Sequence, residues 1–373
     1  MKLEIFTPSF DSPLTDLIIE SDHLRRKQLS GTTHPVIFSQ LKHIFHLLES
    51  IGSARIEGNN TTVADFMETE IDNRPDAGEN IQEIRNIEKA MLYIEEVIDE
   101  RGITKSLIKE LHSLVVSDLV REGDPAPGAF RTNSVKTCGT AHVPPSTEHE
   151  VDSHMDELLS FINQENPARY DLLKVAVGHH RFMWIHPFAN GNGRTGRLLT
   201  YAMLLKLGFI DTSRILNPTA VFCLNRSLYY DYLAKADSGT SEGMEEWCTY
   251  VLGGLKDEIE KIDNLCDYSF LTKNVLNPAL NLLQKNGWLN EVEYKVLKCA
   301  VEYQVIQNND IQRIFPKMKS QAISRIIRNL RAKSMLRADE DNSRRYHISF
   351  VKSGLIRGVI PQLEALSFIP EQN

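Results

Sequence analysis

The 373-residue sequence predicts a mainly α protein: a helical body interrupted by one short hairpin and followed by a smaller C-terminal unit. Three observations predict it. "DLLKVAVGHHRFMWI" and "GRLLTYAMLLKLG" are apolar on most sides of a helix, the pattern of central buried helices. "EGDPAPGAFRTNSVKTCGTAHVPPST" has Pro and Gly at both ends and an alternating, β-leaning middle (Phe130, Thr132, Val135, Thr137), which reads as a projecting hairpin. Towards the C-terminus, shorter amphipathic segments end in two short β-leaning runs.

In chain order, residues 1–95 read as helical, with polar breaks at "GTTHP" and "DNRPDAGEN". Residues 96–265 form a second helical region that carries the hairpin, and 266–287 a linking helix around "NVLNPALNLLQKNGWLN". Residues 288–373 form the last unit and its tail. "NEVEYKVLKCAVEY" is an amphipathic helix, "NNDIQRIFP" a short one that Asn309 would cap, and "KSQAISRIIRNLRAKSML" a longer one that Ser320 would cap. "LRADEDNSRRYHISF" reads as two short strands with a polar tip. Helix, helix, helix, hairpin is the order of a winged helix-turn-helix.

Composition bounds the function. Hydrophobic residues at 42% and charged residues at 25% are ordinary for a globular protein. No window approaches eighteen uncharged apolar residues, so no membrane span is expected. The start "MKLEIFTPSFDSPLTD" lacks a basic segment followed by an apolar one, so no signal peptide is expected. Five cysteines are scattered and never spaced as CxxC, which suits free buried thiols in a reducing cytosol. The net charge of −8 is uneven: residues 317–357 hold eleven Lys/Arg against three Asp/Glu, +8, and the rest carries −16. That asymmetry suits phosphate contacts to duplex DNA by Arg325 and Arg328 of the third helix and Arg344 and Arg345 of the wing. A solvated basic face, or a winged helix used for dimerisation or partner docking, fits the same charges equally well. No aromatic residues of the RNA-recognition kind accompany them.

The chemistry lies in "HPFANGNGRTGR", His186 to Arg197, which joins two core helices. Gly191, Gly193 and Gly196 let backbone N–H groups approach a ligand closely. A glycine-rich turn that opens a helix, here Gly191 through Asn192 and Thr195 to Gly196, forms an anion nest at a positive helix terminus. Arg194 and Arg197 are spaced i,i+3, so both guanidinium groups can project from the first turn towards one anion. His186 faces the same space and Phe188 anchors the loop in the core. Anion cradle, two arginines and a histidine base read as a phosphate-transfer site. His179, His180, Tyr201, Tyr230 and Trp184 read as core or packed residues.

This segment resembles the Fic family signature HxFx[DE]GNGRxxR, matched by His186, Phe188, Gly191, Asn192, Gly193, Arg194 and Arg197. One position departs: Asn190 stands where the family has the acid that holds Mg²⁺. The resemblance implies a Fic-type helical bundle with a β-hairpin flap, and a protein adenylyltransferase that moves AMP from ATP to a target hydroxyl. By the same resemblance, Asn133, Ser134, Val135, Lys136 and Thr137 belong to a flap that aligns the target by strand addition. Asn225 and Tyr229 of "NRSLYYDYL" would meet the adenine or ribose. "SARIEG" resembles the family's inhibitory motif, so that Ser53 and Glu57 restrain Arg197 and keep the γ-phosphate out of position. A neutral Asn190 oxygen can ligate Mg²⁺ but adds no charge, so metal affinity should be weak. The resemblance also implies self-modification and a homodimer. A nucleotide-sensing DNA-binding regulator, and a Fic transferase using another phosphate-containing donor, remain open beside it.

Overall fold

The computed structural model describes residues 3–26, 32–71, 78–135, 142–209, 218–339, 342–351 and 353–368. The chain divides into two compact units, each assembled from discontinuous segments: Met1–Gln28, His46–Thr61 and Ala77–Glu260 form the first, Leu29–Phe45, Thr62–Asp76 and Lys261–Asn373 the second.

The first unit is built around two consecutive helices, Asp171–Ile185 and Asn192–Lys206. The first of these packs against Glu148–Asn163, and the second against Glu79–Arg101 and Lys105–Val115. Both are buried on nearly every side, as their near-continuous apolar sequence requires. The polar atoms trapped inside find partners. The Thr200 hydroxyl donates to the Gly196 carbonyl, so it accepts from His179 Nδ1 at 2.7 Å. The His179 Nε2 then accepts from the Tyr229 hydroxyl at 3.0 Å. His179, His180 and Tyr201 are buried, in agreement with the sequence reading.

The surrounding helices start where the sequence supplies caps. Thr104 accepts from the Leu107 N–H, and Thr147 forms a capping box with Glu150. Gly208, at φ 75°, follows the end of Asn192–Lys206, where its N–H donates to the Leu205 carbonyl.

The second unit holds the expected order of elements. Helices Glu291–Tyr303, Asn308–Ile314 and Ser320–Ala332 precede strands β1 (Leu336–Ala338) and β2 (Tyr346–Ile348), which pair antiparallel with Leu336 opposite Ile348. Ser320–Ala332 buries Ile323, Ile327 and Leu330, an i, i+4, i+7 stripe, and leaves Arg325 and Arg328 exposed. Arg344 and Arg345 are exposed before β2. The caps differ from expectation: Gln307 rather than Asn309 flanks the second helix, its N–H donating to Asp310, and Ser320 is the first helical residue after Lys319.

The hairpin expected in the first unit falls partly on residues 136–141, which lie outside the described residues. No strand occurs among the described residues between 116 and 147, and Lys136 and Thr137 lie outside the described residues. No helix of the described residues is long and apolar enough to cross a membrane.

Candidate active site

The site lies where Asp171–Ile185 ends and Asn192–Lys206 begins, within the first unit. His186 terminates the first helix in a left-handed conformation, φ 50°, with its N–H on the Phe182 carbonyl. That conformation is uncommon outside glycine and turns the imidazole out of the helical path. His186 Nδ1 lies 3.2 Å from the Met183 carbonyl, which can only accept, so Nδ1 carries the proton and Nε2 keeps its lone pair. Burial pushes the His186 pKa down to about 4, reinforced by the Arg131 cation and opposed by the Met183 bond and the Glu57 charge. The ring is therefore neutral near pH 7.

Gly191, at φ 71°, turns the chain into the second helix, and the backbone N–H groups of Asn192, Gly193 and Arg194 open it. Asn192 does not aim its amide outward. Its oxygen accepts from the Phe188 N–H at 2.9 Å and its nitrogen donates to the Phe188 carbonyl at 2.8 Å, which locks the loop onto the buried Phe188 ring. Thr195 is likewise turned inward, its hydroxyl on the Gly191 carbonyl.

The two arginines part company. Arg197 reaches the cavity: Nε donates to Ser53 Oγ at 2.8 Å, and Nη2 to the Ser53 carbonyl at 2.9 Å and Glu57 Oε1 at 2.6 Å. Arg194 is fully buried and paired with buried Glu83 at 2.9 Å, with a further bond to the Glu122 carbonyl. The expectation that both guanidinium groups face one anion is met only by Arg197.

Glu57 follows the helix Pro35–Ile56, whose end is closed by Gly58 at φ 100° and by Asn59, tied to Glu83. Burial alone would raise the Glu57 pKa, but Arg197, with Arg194 and Arg226 behind it, holds it below the ordinary carboxylate value. The carboxylate lies so close over Gly193 that a Cβ there would clash with Glu57 Oε1. A larger residue at 193 would displace the Glu57 carboxylate from this position.

A cavity of about 240 Å³ is lined by Glu57, His186, Asn190 to Gly193, Arg197, Tyr229 and Tyr230, with Trp184, His142 and Asp237 on its walls. Asn225 is not among the lining residues; its side chain caps the helix Arg226–Asp237 by accepting from the Leu228 N–H. Tyr230 and Trp184, read from sequence as core, stand on the cavity wall instead. Asp237 holds His180 Nε2 at 2.9 Å.

Arg131 was not singled out by its sequence context, yet it ties the flap segment to the histidine. Its N–H donates to the Pro187 carbonyl, Nε to the His186 carbonyl at 2.6 Å, Nη1 to Asn133 and Nη2 to Pro145. Residues 133 and 145 are thereby both fixed to the end of Asp171–Ile185, while Asn133 and Ser134 remain exposed and Val135 half-buried. A lone arginine in a loop carries no pattern that periodicity or motif spacing could have revealed.

The donor set does not suit a metal held by the protein. Among the described residues no three His, Cys, Asp or Glu side chains are grouped to hold an ion. Asn190 Oδ1 accepts from the Gly191 N–H at 2.7 Å and its amide nitrogen donates to the Gly123 carbonyl at 3.1 Å.

Fold and site together define a helical domain whose histidine and helix-opening turn are arranged for phosphate chemistry. Residues 102–204 match the Fic/DOC family model, so the chain carries a Fic domain. It is similar to the protein adenylyltransferase Fic of Aedes aegypti, 31% identical over 206 residues, and to that of Drosophila virilis, 32% over 204 residues. These matches take in 53% of this chain but only 37% and 38% of the relatives, so the chain spans little more than a third of their length. A Fic family protein from Desulfovibrio desulfuricans G20 shares the fold over 94% of this chain and 98% of its own, at TM-score 0.57 and 20% identity. Fic-1 from C. elegans aligns over 66% of this chain and 71% of its own, at TM-score 0.54 and 19% identity.

Proposed function

We propose that the protein is an adenylyltransferase that moves AMP from ATP to a hydroxyl side chain of a target protein, restrained by its own Glu57. The reading is carried by one observation. A single cavity holds His186 with Nε2 as its lone-pair nitrogen, the open N-terminus of Asn192–Lys206, and Arg197 already occupied by Glu57. In this reading the phosphates lie on the Gly191–Gly193 turn, where helix N–H groups favour anions. Tyr229 and Tyr230 offer a wall for the base, and Asp237 an acceptor beside it. The target hydroxyl, aligned by the flap that includes Asn133 to Thr137, gives its proton to His186 Nε2. Its oxygen attacks the α-phosphorus, the bond to the β-phosphate oxygen breaks, and pyrophosphate leaves. General base catalysis of this kind typically supplies roughly 10²–10⁴-fold. Mg²⁺ accompanying ATP would be held by phosphate oxygens and water rather than by Asn190.

Arg197 would meet the γ-phosphate once released from Ser53 and Glu57. The cavity is smaller than the roughly 300–1,000 Å³ usual for small-molecule sites, which suits Glu57 filling one end. Incubation with α-³²P-ATP tests the reading: label on protein from Glu57→Gly and none from Glu57→Gly/His186→Ala supports transfer. ATP binding with no label in either would support a nucleotide sensor instead.

The second unit supports a further part of the proposal, a winged helix that binds duplex DNA through Arg325, Arg328, Arg344 and Arg345, all of them exposed. We extend the proposal to a cytoplasmic homodimer that also modifies itself. The cytoplasmic part is supported by Cys223, Cys248 and Cys299, which are free thiols, and the remainder by the family resemblance.

A further inference from the structure

Asn190 has every polar group committed. Its N–H donates to Asp124 Oδ2 at 2.9 Å, and its carbonyl lies 3.1 Å from His112 Nε2. Its side-chain nitrogen donates to the Gly123 carbonyl and its side-chain oxygen accepts from the Gly191 N–H. The amide cannot be turned over, because the Gly191 N–H only donates and the Gly123 carbonyl only accepts.

The partners are themselves fixed. His112 Nδ1 accepts from the Gly128 N–H at 2.9 Å, so its proton is on Nε2, facing the Asn190 carbonyl. The His112 ring stacks on Phe188 with centroids 3.7 Å apart and planes 1° apart. Asp124 Oδ1 accepts from the Ala126 N–H at 2.8 Å. Both side chains are sealed from solvent, at 0% and 1% exposure. The loop that carries Asp124 is anchored in turn by Glu79, whose Oε1 accepts from the N–H groups of Val120, Arg121 and Glu122.

We infer that Asn190 is the centre of a clamp that presets the phosphate-binding turn, with His112 and Asp124 as positioning residues, and that it is not a metal ligand. A carboxylate at 190 would lose the bond to Gly123 and set an acceptor against an acceptor. The amide fits the clamp where the acid would not. A turn held in place before the phosphate arrives binds it without reorganisation, which is how fixed dipoles favour charged groups. This assignment rests on the reading that the site takes ATP.

The test uses the full chain in the Glu57→Gly background, with ATP and adenosine titrated by calorimetry with and without Mg²⁺. His112→Phe keeps the stack on Phe188 and removes both ring-nitrogen bonds; Asp124→Asn keeps the shape and removes the charge. Each should weaken ATP by about tenfold, the worth of one or two such bonds, and leave adenosine unchanged. Asn190→Asp should weaken ATP at every Mg²⁺ concentration. Tighter ATP binding by Asn190→Asp as Mg²⁺ is added would overturn the inference, as would equal losses for ATP and adenosine or no loss for ATP. If His112→Phe does not fold, Asp124→Asn decides. If the Glu57→Gly parent binds no ATP, the donor reading fails by itself. Amide exchange in the unliganded protein then decides the clamp: faster exchange at Asn190 and Gly191 in Asp124→Asn supports it, and unchanged exchange overturns it.

Discussion

Arg197 Nη2 lies 2.6 Å from Glu57 Oε1, and the same guanidinium also holds both the hydroxyl and the carbonyl of Ser53. Three bonds from one side chain thus tie the end of Pro35–Ile56 to the first turn of Asn192–Lys206. Glu57 is about a quarter exposed, so it can leave without unpacking the core.

Glu57→Gly should therefore raise ATP affinity and self-labelling, because it frees Arg197 and the space beside Gly193. The gain expected from removing one charge-assisted contact is on the order of tenfold or more in affinity. Arg197→Ala in that background should abolish labelling again. Calorimetry and α-³²P-ATP incorporation check both. Unchanged affinity and activity in Glu57→Gly would remove the inhibitory assignment.

The His186 pKa is depressed to about 4 from the ordinary 6.5 by burial, aided by Arg131. A depressed histidine stabilises the fold above its unfolded pKa, and that contribution is lost as pH falls from about 6.5 through about 4. In the proposed reaction the base works in the same neutral form. In Glu57→Gly, the acid limb of kcat/KM should fall with an apparent pKa well below 6.5, since this parameter reports the free enzyme. Rates from pH 4 to 8 check it; a limb at or above 6.5 would show that the base works from a solvated position.

The helical fold was legible because the two central helices are apolar on nearly all sides and flanked by strong punctuation at Gly191 and Gly208. The signature residues His186, Gly191, Gly193 and Arg197 were legible from spacing, and all four line one cavity. Arg194 was not, since i,i+3 spacing places two side chains on one helical face without saying which buried acid waits there. Glu83 is more than a hundred positions away in the sequence. Arg131, His112 and Asp124 act through backbone carbonyls and N–H groups, and such partners leave no trace in residue type. The flap segment reads as a hairpin from its alternation, but one guanidinium takes up the carbonyls of Asn133 and Pro145, and no strand occurs among the described residues there.

If the second unit binds duplex DNA through its exposed arginines, affinity should drop steeply with salt. Each neutralised phosphate contributes a slope of about −0.9 in log K against log salt. Arg325→Ala and Arg344→Ala should each weaken binding across sequences and flatten that slope by about one. Fluorescence anisotropy from low to physiological salt measures it. No binding even at low salt would assign the basic face to a protein partner instead.

Arg194 should matter for stability more than for the ligand. It and Glu83 are each 1% exposed and paired at 2.9 Å, so neither has water to replace a lost partner. Burial pushes the Glu83 pKa up, and Arg194 and the Asn59 bond oppose it. Arg194→Ala would leave that carboxyl buried and unpaired, and breaking such a pair typically costs about 3–5 kcal/mol. Replacing both partners by apolar side chains of similar size, as in Arg194→Met with Glu83→Leu, should recover much of the loss because no orphaned charge remains. Urea denaturation of the three proteins measures this, and ATP titration of whatever folds in the Glu57→Gly background separates stability from binding. The double variant should keep ATP affinity within a few-fold, whereas Arg197→Ala should not. Should Arg194→Ala instead unfold like the wild type while losing ATP binding, the guanidinium must leave Glu83 and turn to the phosphates, and the division of labour between the two arginines would be wrong.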